Sequence, residues 1–310
     1  LREAFEDSIN IVGVKLLEII GVRDVIQNAH KAGINSTLRP DLSLALGTSE
    51  VTPLEMASAY ATIANMGTYV EPIAILKVED FNGKVLEQNH IVKKQVFSEE
   101  VCYTLIGLME GVISRGTGTS AKINRPAAAK TGTTDEFVDA WFVGFTPELA
   151  CAVYIGNDDR KPLGNRMTGG VVAAPIWRDF MAGALQDKPV RDFSKSDYVN
   201  EISVCAKTGL LPSNKCAKTV SVIFLAGTEP TQICYEGTGL IPEYSNTNQQ
   251  RPPQEEIPVI SGEKKFPLLE EIEILKKEES GSKANQPEES KKETLQSLVE
   301  ELKKRLEKRD

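Results

Sequence analysis

A lysine, three hydroxyl side chains and a glycine follow one another at Lys130, Thr131, Gly132, Thr133 and Thr134, directly after a run of three alanines. The alanine run predicts a buried strand, and its polar end suits the recognition of a carboxylate lying along the strand edge. The lysine supplies charge, the threonines donate hydrogen bonds, and the glycine lets a ligand backbone approach closely. We predict a catalytic role for Lys130 and substrate binding by the four residues that follow it.

A second polar pair, Ser8 and Asn10, lies far upstream at a break between two helical stretches. Both residue types are common helix caps, so helix capping explains the pair when it is considered alone. Beside the lysine strand, the hydroxyl can pass protons and the amide can hold a substrate amide. We therefore predict catalytic roles for both residues.

The run Arg-Gly-Thr-Gly-Thr-Ser-Ala-Lys, which contains Gly116, Thr117 and Gly118, is similar to a phosphate-binding loop. It differs at the two decisive positions, because Ala121 replaces the required glycine and Ile123 replaces the required serine or threonine. The sequence therefore predicts no phosphate loop. We expect the two glycines and the threonine to form one wall of the lysine site and to bind substrate.

Several function classes are disfavoured by composition. The 310 residues carry a net charge of -8 with no basic stripe, which argues against a nucleic-acid partner. No apolar stretch approaches the roughly 20 residues that span a bilayer, and no signal peptide is visible. His30 and His90 are isolated from each other and from any cysteine spacing typical of zinc, so we predict no metal site and no cofactor.

The five cysteines fall into two groups. Cys102 and Cys151 stand in apolar surroundings, which favours buried thiols. Cys205, Cys216 and Cys234 cluster in one later segment, where a disulfide between two of them would leave the third free. The pairing is left open by the sequence.

The predicted elements describe an α+β domain in which helices precede and follow an antiparallel sheet. The helices are indicated by amphipathic spacing, by a capping motif at Thr52 and by glycines that end them. The strands are indicated by short apolar runs and by an Asn-Gly hairpin turn. The predicted helices are 1–20 (broken at Ser8), 22–31, 52–65, 98–114 and 174–185, and the predicted strands are a hairpin within 73–86, the Lys130 strand, 140–145, 150–156 and 220–224.

Composition divides the chain into three parts. Residues 1–187 hold the motifs above, 188–236 form a smaller β-rich unit with three cysteines, and 237–310 have the composition of a disordered charged tail. The end of the tail has apolar residues at helical spacing, which predicts a terminal amphipathic helix: Leu295, Leu298, Val299, Leu302 and Leu306.

These motifs together resemble the transpeptidase domain of class A penicillin-binding proteins, the bifunctional enzymes that build cell-wall peptidoglycan. The resemblance covers residues 1–235, and the combination is highly specific. The matching segments include Ser8-Ile9-Asn10, residues 46–54, Gly116–Thr119, Lys130–Thr134, residues 139–147, Gly156–Asp159, residues 173–177, residues 205–210 and residues 227–231.

The resemblance implies a penicillin-binding fold similar to that of serine β-lactamases. It also implies a serine, in an S-x-x-K motif, that attacks a stem peptide ending in D-Ala-D-Ala and expels the terminal D-alanine. The acyl group then passes to an amino group on a neighbouring strand, and β-lactams mimic the D-Ala-D-Ala end. The family further implies a location on the extracytoplasmic face of the bacterial membrane, among proteins of cell-wall synthesis.

Carried onto this chain, the resemblance assigns a role to each matching residue. Ser8 relays protons to the leaving group, Asn10 holds the substrate amide, and Lys130 keeps the proton network electrostatically favourable. Thr131 and Thr133 bind the carboxylate, and the Thr133 backbone N–H supplies half of an oxyanion hole.

The chain departs from the family pattern at its start. No S-x-x-K motif precedes Ser8, and Leu1 opens within a helical pattern without a starting Met. We expect an N-terminally truncated fold that lacks the nucleophile, a glycosyltransferase domain and a membrane anchor, and that is not acylated as it stands. Ser280-Gly281-Ser282-Lys283 spells S-x-x-K in the charged tail, and we interpret it as coincidence.

Two alternatives stay open from the sequence. A serine β-lactamase is disfavoured by the long C-terminal extension and by the lack of a recognisable deacylating glutamate. A non-catalytic penicillin-fold module that binds wall peptides or partner proteins is supported only by the missing nucleophile.

Overall fold

The computed structural model describes residues 1–235, in which helices alternate with short antiparallel sheets. The helices are α1 (Arg2–Glu6), α2 (Asn10–Ile20), α3 (Val22–Lys31), α4 (Pro53–Ala64), α5 (Glu99–Ser114) and α6 (Ala174–Ala184). The strands are β1 (Thr68–Val70), β2 (Lys77–Glu79), β3 (Val85–Gln88), β4 (Lys93–Gln95), β5 (Ala128–Thr133), β6 (Asp139–Phe145), β7 (Ala150–Gly156), β8 (Val199–Cys205) and β9 (Thr219–Leu225).

The helix ends follow from local sequence chemistry. The predicted break in the first helical stretch is confirmed, because α1 ends at Glu6 and α2 begins at Asn10. Helix α2 ends at Gly21, whose φ of 99° suits a residue without a side chain. The predicted capping motif of α4 is also present, since the Thr52 hydroxyl accepts from the Glu55 N–H and the Glu55 carboxylate accepts from the Thr52 N–H.

A three-stranded antiparallel sheet, ordered β5-β6-β7, positions the candidate lysine. Lys130 on β5 lies opposite Val143 on β6, which lies opposite Ala152 on β7. Helix α5 packs against β5, α6 against β6 and β7, and α4 against β6 and β7. The sheet is therefore held by helices, and its strand carrying Lys130 runs beside α5.

The core lies on both faces of this sheet, because neighbouring strand residues point in opposite directions. Ala129 and Phe142 pack on one face with Trp177 of α6, whose ring centroid is 5.3 Å from that of Phe142. Ala128 and Phe145 pack on the other face with residues of α5. The three alanines that precede Lys130 are thus buried, which fixes the direction in which the strand leaves the core.

A β8–β9 ribbon follows α6 and packs against α5 through Ile223, beside Gly107. All five cysteines are free thiols, so the disulfide that the sequence left open in this region is not formed. The predicted boundary between residues 187 and 188 stays a prediction.

The charged tail, the amphipathic helix predicted within it and Ser280–Lys283 lie outside the described residues. Among residues 1–235, no helix is both long enough and apolar enough to cross a bilayer.

Candidate active site

Ser8 occupies the turn between α1 and α2 with a φ of 56°, a left-handed conformation that is uncommon for residues other than glycine. The N-cap residue of α2 is Ile9, and no side chain forms a capping hydrogen bond with that helix. Helix capping therefore does not explain the position of Ser8. Its hydroxyl instead accepts a hydrogen bond of 2.7 Å from the Lys130 ammonium, 122 residues away. The structure therefore brings these two predicted catalytic residues together.

Lys130 is half-buried on β5 and also donates to the Thr131 carbonyl at 3.2 Å. Its ammonium lies 5.9 Å from the centroid of the Phe5 ring. Burial lowers the pKa of Lys130 to about 8, because the charged form loses hydration. A lysine with this pKa exchanges protons readily near neutral pH, and Ser8 is the hydroxyl it contacts.

The hydroxyls that follow Lys130 have different partners. Thr131 Oγ1 lies 2.7 Å from Thr117 Oγ1, while Thr133 Oγ1 accepts from the Gly169 N–H at 3.1 Å. Thr134 Oγ1 accepts from the Asp139 N–H at 2.7 Å and so closes the turn between β5 and β6. Thr131 and Thr133 thus belong to the surface beside Lys130, whereas the Thr134 hydroxyl is engaged in the turn.

The wall predicted from Gly116, Thr117 and Gly118 lies between the end of α5 and strand β5. The Thr117 N–H donates to the Glu6 carbonyl at 3.2 Å, and the Gly118 N–H donates to the Val112 carbonyl at 2.9 Å. A side chain on Gly118 would lie 3.1 Å from both Phe142 and Val112. The glycines let this loop pass close to α1 and to the core, which places Thr117 against Thr131.

An ion pair between the buried Glu6 carboxylate and the half-exposed Arg115 guanidinium, which was not predicted from the sequence, holds α1 in place. The Glu6 carboxylate is 4% exposed and accepts two hydrogen bonds from the Arg115 guanidinium, including one of 2.7 Å from Nε. Arg2 approaches the same carboxylate at 3.8 Å. The pair spans 109 residues, so no local signal in the sequence indicates it, and it fixes the helix that ends just before Ser8.

A π-helical turn at Gly169–Ala173 is a second missed feature. A side chain on Gly169 would lie within 3.1 Å of the Trp141 backbone, and one on Gly170 would collide with the Thr117 carbonyl. The Gly-Gly pair before an alanine-rich helix was the available signal. The two glycines let this turn pack against the edge of β5 beside Thr131 and Thr133.

Asn10 is exposed at the start of α2, two residues from Ser8, and its predicted contact with a substrate amide stays a prediction. Two cavities of about 250 and 370 Å³ lie elsewhere and are lined by none of the predicted site residues. The candidate site is therefore defined by polar side chains that lie close together, and not by a cavity.

Residues 1–182 match the family model of the penicillin-binding protein transpeptidase domain. The chain belongs to this family. Residues 195–237 match a second model, the C-terminal domain of penicillin-binding protein 1A. The predicted family and the penicillin-binding α+β fold are thereby confirmed.

Curated relatives give the same family. Penicillin-binding protein 1A of Aquifex aeolicus is 39% identical over 235 residues, covering 76% of this chain and 32% of the relative. Penicillin-binding protein 2D of Bacillus subtilis is 33% identical over 275 residues, covering 86% of this chain and 38% of the relative. The chain thus spans about a third of the length of these relatives.

Solved structures agree with the fold. A crystal structure of penicillin-binding protein 1A from Haemophilus influenzae matches with a TM-score of 0.68 and 28% identity, over 76% of this chain and 41% of that one. The PonA1 protein of Mycobacterium tuberculosis, in complex with penicillin V, matches with a TM-score of 0.57 and 32% identity, over 63% of this chain and 58% of that one.

Proposed function

We propose that the protein acts as a serine D,D-transpeptidase of peptidoglycan synthesis, with D,D-carboxypeptidase activity when water replaces the acceptor amine. Its substrates are stem peptides that end in D-Ala-D-Ala, and β-lactams acylate the same site. The observation that carries the proposal is the hydrogen bond from Lys130 to Ser8, which joins two distant motifs of the family at one point. The family match and the penicillin complex of the similar PonA1 protein support it.

The proposed roles follow from charge and position. Lys130 and Ser8 form a relay that delivers a proton to the departing amine, since a lysine with a pKa of about 8 holds and releases protons near neutral pH. Thr131 and Thr133 hold the substrate carboxylate, and Asn10 holds the amide of the scissile unit. The Thr133 backbone N–H supplies one donor of the oxyanion hole, worth about 3 kcal/mol of the barrier.

The acyl-enzyme forms on a serine of an S-x-x-K motif that residues 1–235 do not contain. Two S-x-x-K sequences, beginning at Ser261 and Ser280, lie outside the described residues. We propose that the nucleophile belongs to a segment preceding Ser8 in the intact protein, together with a glycosyltransferase domain and a membrane anchor. The active site then faces the extracytoplasmic side of the membrane, among other proteins of cell-wall synthesis, and the 310-residue polypeptide alone is not acylated.

Fluorescent penicillin tests the proposal on two polypeptides, the 310-residue chain and a version extended upstream through the S-x-x-K segment. We expect a covalent mass increase in the extended form alone. Ser8→Ala in the extended form should slow acylation about 100-fold, because it breaks the proton relay. Ser194→Ala, at an exposed serine after α6, is the matched control and should leave acylation unchanged.

The same experiment identifies the outcomes that contradict the proposal. Labelling of the 310-residue chain would mean that a serine within it is the nucleophile. Labelling of the extended form followed by rapid release of hydrolysed penicillin would favour a β-lactamase. No labelling of either form would favour a non-catalytic module.

A further inference from the structure

Three cysteine sulfurs converge in the segment that follows α6. The sulfurs of Cys205, Cys216 and Cys234 all lie within 4.8 Å of one another, although the residues are separated by eleven and eighteen positions in the sequence. Cys205 and Cys234 are buried, and Cys216 is half-buried. This convergence is unrelated to the acyl-transfer site, because none of the three contacts the residues assigned there.

Backbone hydrogen bonds hold the three positions. Cys205 ends β8, and its N–H donates to the Leu210 carbonyl at 2.8 Å, which closes the loop that begins there. The Cys234 N–H donates to the Leu211 carbonyl at 2.8 Å, and the Leu211 N–H donates to the Gln232 carbonyl at 2.9 Å. The main chain therefore brings the sulfurs together without any bond between them.

The surroundings of the sulfurs suit thiolates. The backbone N–H groups of Lys207 and Thr208 donate to the Cys205 sulfur, and the Ser213 N–H donates to the Cys216 sulfur at 3.3 Å. Hydrogen bonds of this kind orient and stabilise the ligands of a metal site. The segment from 205 to 218 also contains three lysines and no carboxylate, so its charge complements an anionic sulfur cluster.

We propose that Cys205, Cys216 and Cys234 form a structural site for a thiophilic divalent cation, with Zn²⁺ as the natural occupant. Tetrahedral zinc with Zn–S bonds of about 2.3 Å places its sulfurs about 3.8 Å apart, which a small adjustment of this cluster provides. Thiolate ligands select zinc over magnesium or calcium, which require oxygen. A disulfide would use two of the sulfurs and leave the third without a role.

Binding converts three thiols and one Zn²⁺ into a zinc tris-thiolate and releases up to three protons, with a solvent ligand in the fourth position. The bound ion would cross-link three segments of the chain: the end of β8, the loop that contains Cys216 and the segment after β9. The sequence predicted no metal site, because His30 and His90 are isolated from any cysteine spacing typical of zinc, and it favoured a disulfide among these cysteines. The pairing of β8 with β9 and the bridge between Leu211 and Ile233 bring the residues together.

The test uses the full 310-residue chain, purified under reducing conditions without chelator. We expect one zinc ion per chain by elemental mass spectrometry and a saturable cadmium titration, with sulfur-to-cadmium absorbance ending at one equivalent. Cys216→Ser and Cys234→Ser should each weaken cadmium binding about 100-fold. Cys151→Ser, a half-buried thiol on β7, is the matched control and should bind as the wild type does.

Alkylation kinetics on the unmutated chain provide a readout that does not depend on variants folding. Zinc should slow the alkylation of these three thiols at least tenfold, and a chelator should restore it, while Cys151 reacts at the same rate in both conditions. The proposal is overturned if cadmium binding does not saturate at one equivalent. It is equally overturned if, without reductant, a disulfide joins two of the three cysteines and the chain then retains zinc at full stoichiometry.

Discussion

Gly116 is the residue at which the position of Ser8 can be perturbed without touching any reacting group. A Cβ at this position would lie 2.9 Å from the Glu6 carbonyl carbon, closer still to its oxygen, and 3.1 Å from Val112 Cα. All three atoms belong to backbone, so no side-chain rotation relieves the overlap. Gly116→Ala must therefore move either the loop or helix α1.

The size of the effect follows from these distances. Carbon atoms pack at about 3.5–4.0 Å, so the loop and α1 must separate by about 0.6–1 Å, and overpacking of this kind costs about 1–3 kcal/mol. Ser8 follows Glu6 by two residues and moves with it to the extent that α1 takes up this separation. Its 2.7 Å hydrogen bond from Lys130 would then lengthen beyond bonding range. A misplacement of about 1 Å near reacting groups lowers the rate by about 100-fold.

The assay combines urea unfolding with penicillin acylation of the upstream-extended form. Gly183→Ala is the matched control, because a Cβ on that exposed α6 glycine meets nothing within 4 Å. It should raise stability by about 0.5–1 kcal/mol, as alanine does in helices, and leave acylation unchanged. Gly116→Ala should lower both. A Gly116→Ala variant that is as stable and as reactive as the wild type would refute the argument that this loop sets the position of α1.

Two further predictions concern pH. Lys130 has a pKa of about 8 in the folded chain against an ordinary 10.5, so the unfolded chain binds more protons between these values. The free energy of unfolding, relative to Lys130→Met, should therefore rise through this window by about 1–3 kcal/mol, and a flat or falling difference in urea titrations would contradict the burial argument. Glu55 has a pKa of about 2, against an ordinary 4.5, because the Thr52 N–H and the Ser36 hydroxyl and N–H donate to it. Glu55→Gln should lower the free energy of unfolding by about 1–2 kcal/mol at neutral pH. That difference should shrink as the pH falls from 4.5 through about 2, and a gap that persists at the acid end would show that the charge is not its source.

The sequence predicts the elements well, where local chemistry decides them. Thr52 and Pro53 start α4, Gly21 ends α2, and the apolar runs on either side of Pro147 form β6 and β7. Each of these signals acts within a few residues, so neighbouring side chains carry the information. The motifs around Lys130 and Ser8 were found for the same reason, because each is a short run of unusual composition.

Pairings over long sequence distance could not be predicted. The Glu6–Arg115 ion pair joins residues 109 apart, and the convergence of the three cysteines depends on the β8–β9 pairing and on the bridge between Leu211 and Ile233. In both cases the role of a side chain depends on a partner that is close in the fold but distant in the sequence. The left-handed backbone of Ser8 belongs to the same class, since the interactions around α1 compensate its cost.

The position of Glu6 explains why stability and reactivity should change together at this site. Its carboxylate anchors α1 to Arg115, while its carbonyl accepts from the Thr117 N–H, so one residue fixes both the helix before Ser8 and the wall beside Thr131. Removing the half-exposed Arg115 side chain would leave the buried Glu6 carboxylate with Arg2, 3.8 Å away, as its cationic neighbour, at a cost of about 1–3 kcal/mol. The same change would release helix α1, which ends just before Ser8. The proposed proton relay therefore depends on the Glu6–Arg115 contact, which takes no part in the chemistry.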